Sequence, residues 1–435
     1  MRKEINMEEK KYPFFNNHIS CRLSDNICRI KNLKHMERTI DIEGSIHVFL
    51  REINGLQNKA EIVEKISNKI DVPKETIDRD FSYILASLKK KNIIRFSEKP
   101  RKMKKRFSEI ISNSIRSSIH IDITHRCNEN CIHCLVNKDR KEIRFEAMKK
   151  IIHEAADLGF TNLSFSGGEP TLHPDFWEIL ELARDYGFYF TLFTNGINFD
   201  KNAIERLMSF YPEKVRISLY SMEPDIHDLI TKISGSFKKT ILTILRMKEN
   251  GIRLFINCPV MNTNYENFRA VADFCYEHNL ERAFDPDIKP ARDLRTSNSQ
   301  LQLSYKQAKE VTGFQQDADE LVVNVRYGTN VCNAGEEPSI DSLLNVYPCP
   351  GLRLVLGNLK EKPLADILTN NTIINTVSNL SLDNLQICQK CDVRNGCYRC
   401  HGHAYQDTKD FTKCSSSDKR QAKIRKELMI ERGTL

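Results

Sequence analysis

The stretch Cys127-Asn-Glu-Asn-Cys131-Ile-His-Cys134 places three thiols in one short loop, directly after the apolar run Ser118–Ile123. The run reads as a strand leading into that loop. Thiols at C-x3-C-x2-C spacing fold easily onto one small object. Thiolates are the usual ligands of an iron–sulfur cluster, which makes a cluster the first expectation. Three ligands would leave one iron of a [4Fe–4S] cube without a protein ligand, open to a reactant. The alternative is a zinc knuckle closed by His125 or His133, although zinc sites favour paired C-x2-C spacings with a second pair downstream.

The chain has 435 residues, enough for about three domains at roughly 150 residues each, and 40% of them are apolar. No apolar run reaches the length of a membrane span. The start, Met1-Arg-Lys-Glu-Ile, lacks the apolar core of a signal peptide, so a cytoplasmic protein is expected. Without an export signal, 14 cysteines argue for metal and redox chemistry over disulfides. A net charge of +8 allows an acidic peptide or a nucleic acid as partner and selects neither.

Residues 15–97 read as a separate small domain. Ile19–Leu23, Ile27–Ile30 and Ile40–Ile42 are short strand-like runs, the first two joined at Ser24-Asp-Asn. Three helical patterns follow over Ser45–Ile53, Ala60–Ile70 and Lys74–Ile94. The last carries Ile77, Phe81, Ile84, Leu85 and Leu88 on one face, with Pro73 at its start. Strands followed by three short helices make a winged-helix-like module. The runs Ile46–Leu56, Ala60–Ile70 and Val72-Pro-Lys-Glu-Thr-Ile77 resemble the peptide-recognition domain of ribosomal-peptide maturation enzymes, of the type found in the pyrroloquinoline quinone pathway. That resemblance implies a leader peptide added as a strand to the sheet edge. A winged helix that binds DNA is the rival, with Lys89, Lys90 and Lys91 at the end of the last helix. Cys21 and Cys28 are expected as small core residues. Residues 98–112 form a basic linker.

Between 113 and 290 the chain alternates strands and helices. The strands are His120–Ile123, Leu163–Phe165, Phe188–Phe193, Val215–Leu219, Leu254–Asn257 and Ala283–Phe284; the helices lie over Glu146–Leu158, Phe176–Tyr186, Lys201–Phe210, Phe237–Asn250 and Tyr265–His278. Such alternation predicts a parallel sheet with outer helices. Ser166-Gly-Gly-Glu-Pro170 follows the second strand. Its glycines let backbone approach a ligand closely, and Glu169 adds an acceptor for an ammonium group. With the three-cysteine loop after strand one, the segment resembles the radical SAM superfamily. The resemblance implies an α/β partial (β/α)6 barrel of TIM type. It also implies a [4Fe–4S] cluster on Cys127, Cys131 and Cys134 as the catalytic centre, and S-adenosylmethionine held by Gly167, Gly168, Glu169, Asn195, Ser218 and Val260.

A bridging region, 291–331, leads to a second cysteine group at 332–418. It comprises Cys332, Cys349, the run Cys388-x2-Cys391-x5-Cys397-x2-Cys400, and Cys414. The C-x2-C pairs could make a zinc ribbon. With Gly357-Asn-Leu359, the array resembles the SPASM extension of radical SAM enzymes. That implies two auxiliary iron–sulfur clusters, the distal on Cys388, Cys391, Cys397 and Cys414, the nearer on Cys332, Cys349 and Cys400. The nearer set is one cysteine short, and residues 333–348 supply none. Cys258 and Cys275 read as core. Residues 419–435 read as a basic C-terminal helix with no role.

The whole arrangement resembles sactipeptide-type maturases, which form cysteine thioethers in ribosomally made peptides. Expected partners are a precursor peptide with a leader and a low-potential donor of flavodoxin or ferredoxin type, with no membrane and no nucleic acid. Peptide epimerisation, carbon–carbon or carbon–oxygen cross-linking and sulfatase-type maturation are the enzymatic alternatives. An iron–sulfur DNA-binding regulator is the alternative of another class.

Overall fold

The computed structural model describes residues 10–23, 27–34, 39–43, 46–101, 107–109, 116–136, 140–289, 298–315, 332 and 334–434. Most of the bridging region, 316–331 included, lies outside them.

At the N-terminus, strands β1 (Tyr12–Phe15), β2 (Ile19–Leu23), β3 (Ile27–Asn32) and β4 (Ile40–Glu43) precede three helices over Ile46–Leu50, Lys59–Ser67 and Lys74–Lys90. Asn58 caps the second helix through a reciprocal capping box with Glu61. In the third, Ile77, Phe81, Leu85 and Leu88 recur at three- and four-residue spacing and are buried. Phe81 stacks on Phe49 with ring centroids 5.3 Å apart. Cys21 and Cys28 are buried in this core.

Two details differ from the sequence reading. The last helix stops at Lys90, and Ile94 instead opens β5 (Ile94–Ser97), which pairs antiparallel with β1. Asn92, at φ +54°, makes the break. Within the basic stretch 98–112, β6 (Phe107–Glu109) joins the N-terminal sheet parallel to β2, giving the order β4-β3-β2-β6.

Six parallel strands follow: β7 (Arg116–Thr124), β8 (Phe160–Gly167), β9 (Tyr189–Thr194), β10 (Lys214–Ser218), β11 (Leu254–Pro259) and β12 (Glu281–Asp285). Along each, apolar residues such as Leu163, Phe165, Val215 and Ile217 face the outer helices and are buried. The alternate positions, Asn162, Ser164, Arg216 and Ser218 among them, are only partly buried and point to the other face. The sheet stays open, as a partial barrel requires. Beyond β7 it continues through β13 (Ser339–Ile340), β14 (Asn345–Tyr347) and β15 (Gly357–Asn358), so the cysteine-rich segment is built onto the barrel's own sheet. Cys258 and Cys275 are buried in the barrel core.

The C-terminal helix, Ser416–Glu431, has the role the sequence did not reveal. Lys309 reaches its Glu427 at 2.9 Å, tying it to the helix Tyr305–Gln315. A Cβ on Gly396 would stand 2.6 Å from the Ala422 carbonyl oxygen, so this helix also braces the loop between Cys391 and Cys397.

The N-terminal unit is seated on the barrel by two buried arginines. Arg22 of β2 donates to the carbonyls of Tyr186 (2.9 Å) and Ala156. In return Arg184 donates to those of Asn17 (3.1 Å) and Ile19 (3.2 Å).

Candidate functional site

The cysteine loop leaves the C-terminal end of β7, the end where parallel barrels keep their chemistry. Here the β8 backbone runs beside the loop. Gly168 donates to the Thr124 carbonyl at 2.7 Å, and Glu169 donates to that of Arg126 at 2.8 Å. A Cβ on Gly167 would lie 2.1 Å from the Thr124 oxygen, and one on Gly168 2.2 Å from the Arg126 oxygen. The glycines therefore serve a backbone-to-backbone approach that fixes the residue before Cys127.

Glu169, the expected ammonium acceptor, makes its bonds within the protein here. Its side chain is fully buried. It accepts from the Thr171 amide and hydroxyl (3.1 and 2.7 Å), the Thr194 hydroxyl (2.9 Å) and the Asn195 amide (2.9 Å). A buried carboxylate is tolerated when donors surround it, and these do. Glu169 thus ties the end of β8 to the end of β9. The signal that could have shown this is the pair of threonines two and 25 residues on, but only the fold brings Thr194 close.

Asn195 donates through Nδ2 to Asn128, inside the cysteine loop, at 2.6 Å. Ser218 closes β10. Tyr220, two residues on, is buried with its hydroxyl 3.9 Å from the Cys131 sulfur. The His133 ring packs edge-on to Tyr220, centroids 5.0 Å apart, and its buried Nδ1 has no hydrogen-bond partner. Burial holds the His133 pKa down at about 4. The Val260 side chain lies wholly in the apolar core, and its amide donates to the Asp285 carbonyl at 2.8 Å.

The remaining seven cysteines fall into two groups. Cys388, Cys391, Cys397 and Cys414 line one cavity of about 260 Å³, with Arg394 and Arg399. Arg399 is buried and donates to the carbonyls of Phe411 (2.9 Å) and Lys413 (2.7 Å), which shapes the loop before Cys414. Cys332, Cys349 and Cys400 interact electrostatically with one another. Gly402 makes that possible: its Cβ would stand 2.5 Å from the Gly351 carbonyl, so the loop after Cys349 presses on the helix after Cys400. His401 and His403 bond to the Phe411 carbonyl (2.9 Å) and Asp418 (2.7 Å).

Burial pushes the thiols up: Cys127 and Cys397 to about 12, Cys349 to about 11, and Cys131, Cys332, Cys388 and Cys414 in the same direction. At Cys400 burial acts the same way, but the His403 bond and charge outweigh it and the thiol sits below its usual value. Among the described residues no three such side chains converge on a single metal-bonding point. The sulfurs are gathered, not closed. Thiols gathered in low-dielectric pockets, with a cavity at the centre of one group and an orphaned imidazole nitrogen beside another, fit cationic clusters that stabilise thiolate.

Comparisons with known proteins agree with this geometry. Residues 121–275 match the radical SAM superfamily, and residues 332–392 match the SPASM family, an iron–sulfur cluster-binding domain. An AdoMet-dependent heme synthase of Methanosarcina barkeri is 23% identical over 329 residues, covering 67% of this chain and 92% of that protein. A PqqA peptide cyclase of Granulibacter bethesdensis is 29% identical over 150 residues, 34% of this chain and 40% of its own. Among solved structures, Streptococcus suis SuiB bound to its precursor peptide SuiA superposes with a TM-score of 0.57 at 17% identity, covering 93% of this chain and 99% of that one. The enzyme anSMEcpe, with AdoMet and a peptide bound, gives 0.59 at 20% identity over 73% and 97%. The chain thus joins a radical SAM domain to a SPASM domain, and is an S-adenosylmethionine-dependent iron–sulfur enzyme.

Proposed function

We propose that this enzyme modifies a ribosomally made precursor peptide, joining a peptide cysteine to a substrate carbon as a thioether. The observation that carries the peptide reading is where the N-terminal unit touches the barrel. Lys31 of β3 pairs with Glu213 and lies 4.0 Å above the Tyr189 ring, and both line the barrel's inner cavity. A leader strand held by residues 15–97 thus has the cavity beside it. The peptide-bound states of SuiB and anSMEcpe support this reading, and the heme synthase among the relatives keeps a tetrapyrrole substrate as the second one.

Cys127, Cys131 and Cys134 are assigned to the [4Fe–4S] cluster. Gly167, Gly168, Glu169, Asn195, Ser218 and Val260 are assigned to S-adenosylmethionine. When bound, the two groups would supply one-electron radical chemistry that removes a hydrogen from the substrate, while these residues hold and orient them. Cys388, Cys391, Cys397 and Cys414 are assigned to a distal auxiliary cluster, and Cys332, Cys349 and Cys400 to a nearer one. The nearer set offers three cysteines where the distal offers four, which leaves a place for a substrate thiol. Tyr220 and the buried core behind it back one side of the loop, whose Cys127 faces solvent. We place the enzyme in the cytoplasm with a low-potential flavodoxin- or ferredoxin-type donor; no described helix is long and apolar enough to cross a membrane.

The test is mass spectrometry of a candidate short precursor peptide, co-expressed anaerobically with the enzyme and then alkylated. Loss of two hydrogens with one cysteine no longer alkylated is the expected result. The same loss with every cysteine reactive moves the reading to a carbon–carbon or carbon–oxygen link. A mass unchanged in ordinary water that gains one deuterium per event in heavy water means epimerisation. Oxidation of one cysteine or serine to an aldehyde, with no link, means sulfatase-type maturation.

A further inference from the structure

The inner faces of the barrel strands enclose a polar cavity of about 420 Å³, bounded by Ser118, His120, Asn162, Thr191, Glu213 and Arg216 among others. It lies below the cysteine loop. His120, Ser164 and Thr191 share one register row, four residues before β7 ends at Thr124. Arg216 pairs with Phe193, two residues further along β9 than Thr191.

Two of the charges here are answered by a partner, and a third stays in water. Glu213 takes Lys31 and the Asn162 amide (2.6 Å). His120 is 3.2 Å from Asp122. Glu337 is exposed at the rim, beside Ser117. Arg216 differs. Its guanidinium is held between two rings, 5.1 Å from the Phe193 centroid and 4.2 Å from that of Phe255. Its described hydrogen bond is to a neutral acceptor, Asn257 Oδ1, at 2.8 Å. Its buried Nε has no hydrogen-bond partner. No ion pair to it occurs among the described residues. Burial lowers its pKa, opposed only by the charge of Glu281. A cation clamped in one plane, half out of water and without a counter-charge, is a preformed receptor for a planar anion.

We infer that Arg216 is the specificity-determining residue of this cavity and receives a carboxylate of the substrate, from an aspartate or glutamate side chain or from the peptide's C-terminus. That the carboxylate belongs to a peptide rests on the function proposed above; that the cavity selects a carboxylate does not.

The test uses the full-length, anaerobically reconstituted enzyme and three probes, followed by saturation-transfer NMR. They are N-acetylglutamate N-methylamide, the corresponding glutamine compound, and N-acetylalanine with a free C-terminal carboxylate. A carboxylate probe is expected to bind at least about tenfold more tightly than the glutamine compound, the scale of one charge-assisted contact. The stronger of the two carboxylate probes identifies the source. Arg216→Gln should abolish the preference. Asn257→Asp should abolish it too, by placing a carboxylate against the guanidinium while keeping its packing, and this keeps the test decisive if Arg216→Gln does not fold. Equal binding of all probes, or a preference that survives both substitutions, overturns the inference. So does a weakened S-adenosylmethionine affinity in Arg216→Gln with the probe preference intact, since the carboxylate would then be that of the cosubstrate. These readouts do not depend on whether the precursor peptide is modified, so failure of the peptide reading is seen separately.

Discussion

Gly168→Ala should leave a folded chain that binds one cluster's worth less iron and forms no detectable 5′-deoxyadenosine. The added methyl would stand 2.2 Å from the Arg126 carbonyl oxygen, 2.7 Å from its carbon and 2.9 Å from the His125 oxygen, all nearer than the 3.0 Å that Cβ atoms respect. These atoms are backbone, so no side-chain rotation relieves the clash. What yields is the pairing of Gly168 and Glu169 with Thr124 and Arg126, and Arg126 is the residue before Cys127. Overpacking of this kind costs about 1–3 kcal/mol. In a chain of this size that lowers the melting temperature by a few degrees without unfolding it. The loss falls instead on the geometry of three thiols that must close round one cluster. Iron content, the cluster's electron paramagnetic spectrum and chromatography of the products measure it. Gly251→Ala is the control: its added Cβ meets nothing within 4 Å, and its φ of +73° gives it a backbone strain that Gly168 does not carry, so a mild effect there isolates the clash. A Gly168→Ala enzyme with full iron and normal S-adenosylmethionine cleavage would sink the close-approach reading.

Much of this was legible because periodicity carries it. Leu163 and Phe165 alternate with Asn162 and Ser164, and the same alternation marks Val215 and Ile217 against Arg216, so the parallel strands are readable as strands with a buried outer face. Gly167 and Gly168 were legible as a place of close approach, but not what approaches, because Thr124 ends a different strand and Arg126 lies in the loop after it. Strands β6 and β13 are two or three residues long and exist only through their partners β2 and β7, which no local pattern encodes. Arg216 carried no signal at all. Its inward direction follows from alternation, yet the lack of a counter-charge is a property of β9 and β11 as much as of β10. The C-terminal helix hid for a related reason: its buried residues, Asp418, Gln421, Ala422, Ile424, Leu428 and Met429, mix polar with apolar, because part of what it covers is the polar backbone around the cysteines.

Arg22→Met is expected to separate the enzyme's two tasks. Arg22 and Arg184 are both fully buried, and each donates across the seam to carbonyls of the other unit. Methionine keeps the apolar volume above Phe188, over which the Arg22 guanidinium sits at 4.7 Å, but supplies no donor. The carbonyls of Tyr186 and Ala156 then lose a charged donor, at a cost of about 3–5 kcal/mol for uncompensated buried groups. The cost falls on docking, because every lost bond runs between the two units and the acceptors are backbone carbonyls, so the apolar side-chain packing of each core is kept. Iron content and peptide-independent S-adenosylmethionine cleavage should stay near wild type, since the cysteine loop and β8 are untouched. Modification of the precursor peptide should fall roughly a hundredfold in kcat/KM, the value of about 3 kcal/mol at 25 °C. Calorimetry should show the single unfolding transition divide in two. Arg22→Lys, which keeps the charge with fewer aligned donors, should fall between. If the transition divides while peptide turnover holds, docking of the N-terminal unit is not what brings the peptide to the barrel, and the path past Lys31 and Glu213 must be given up.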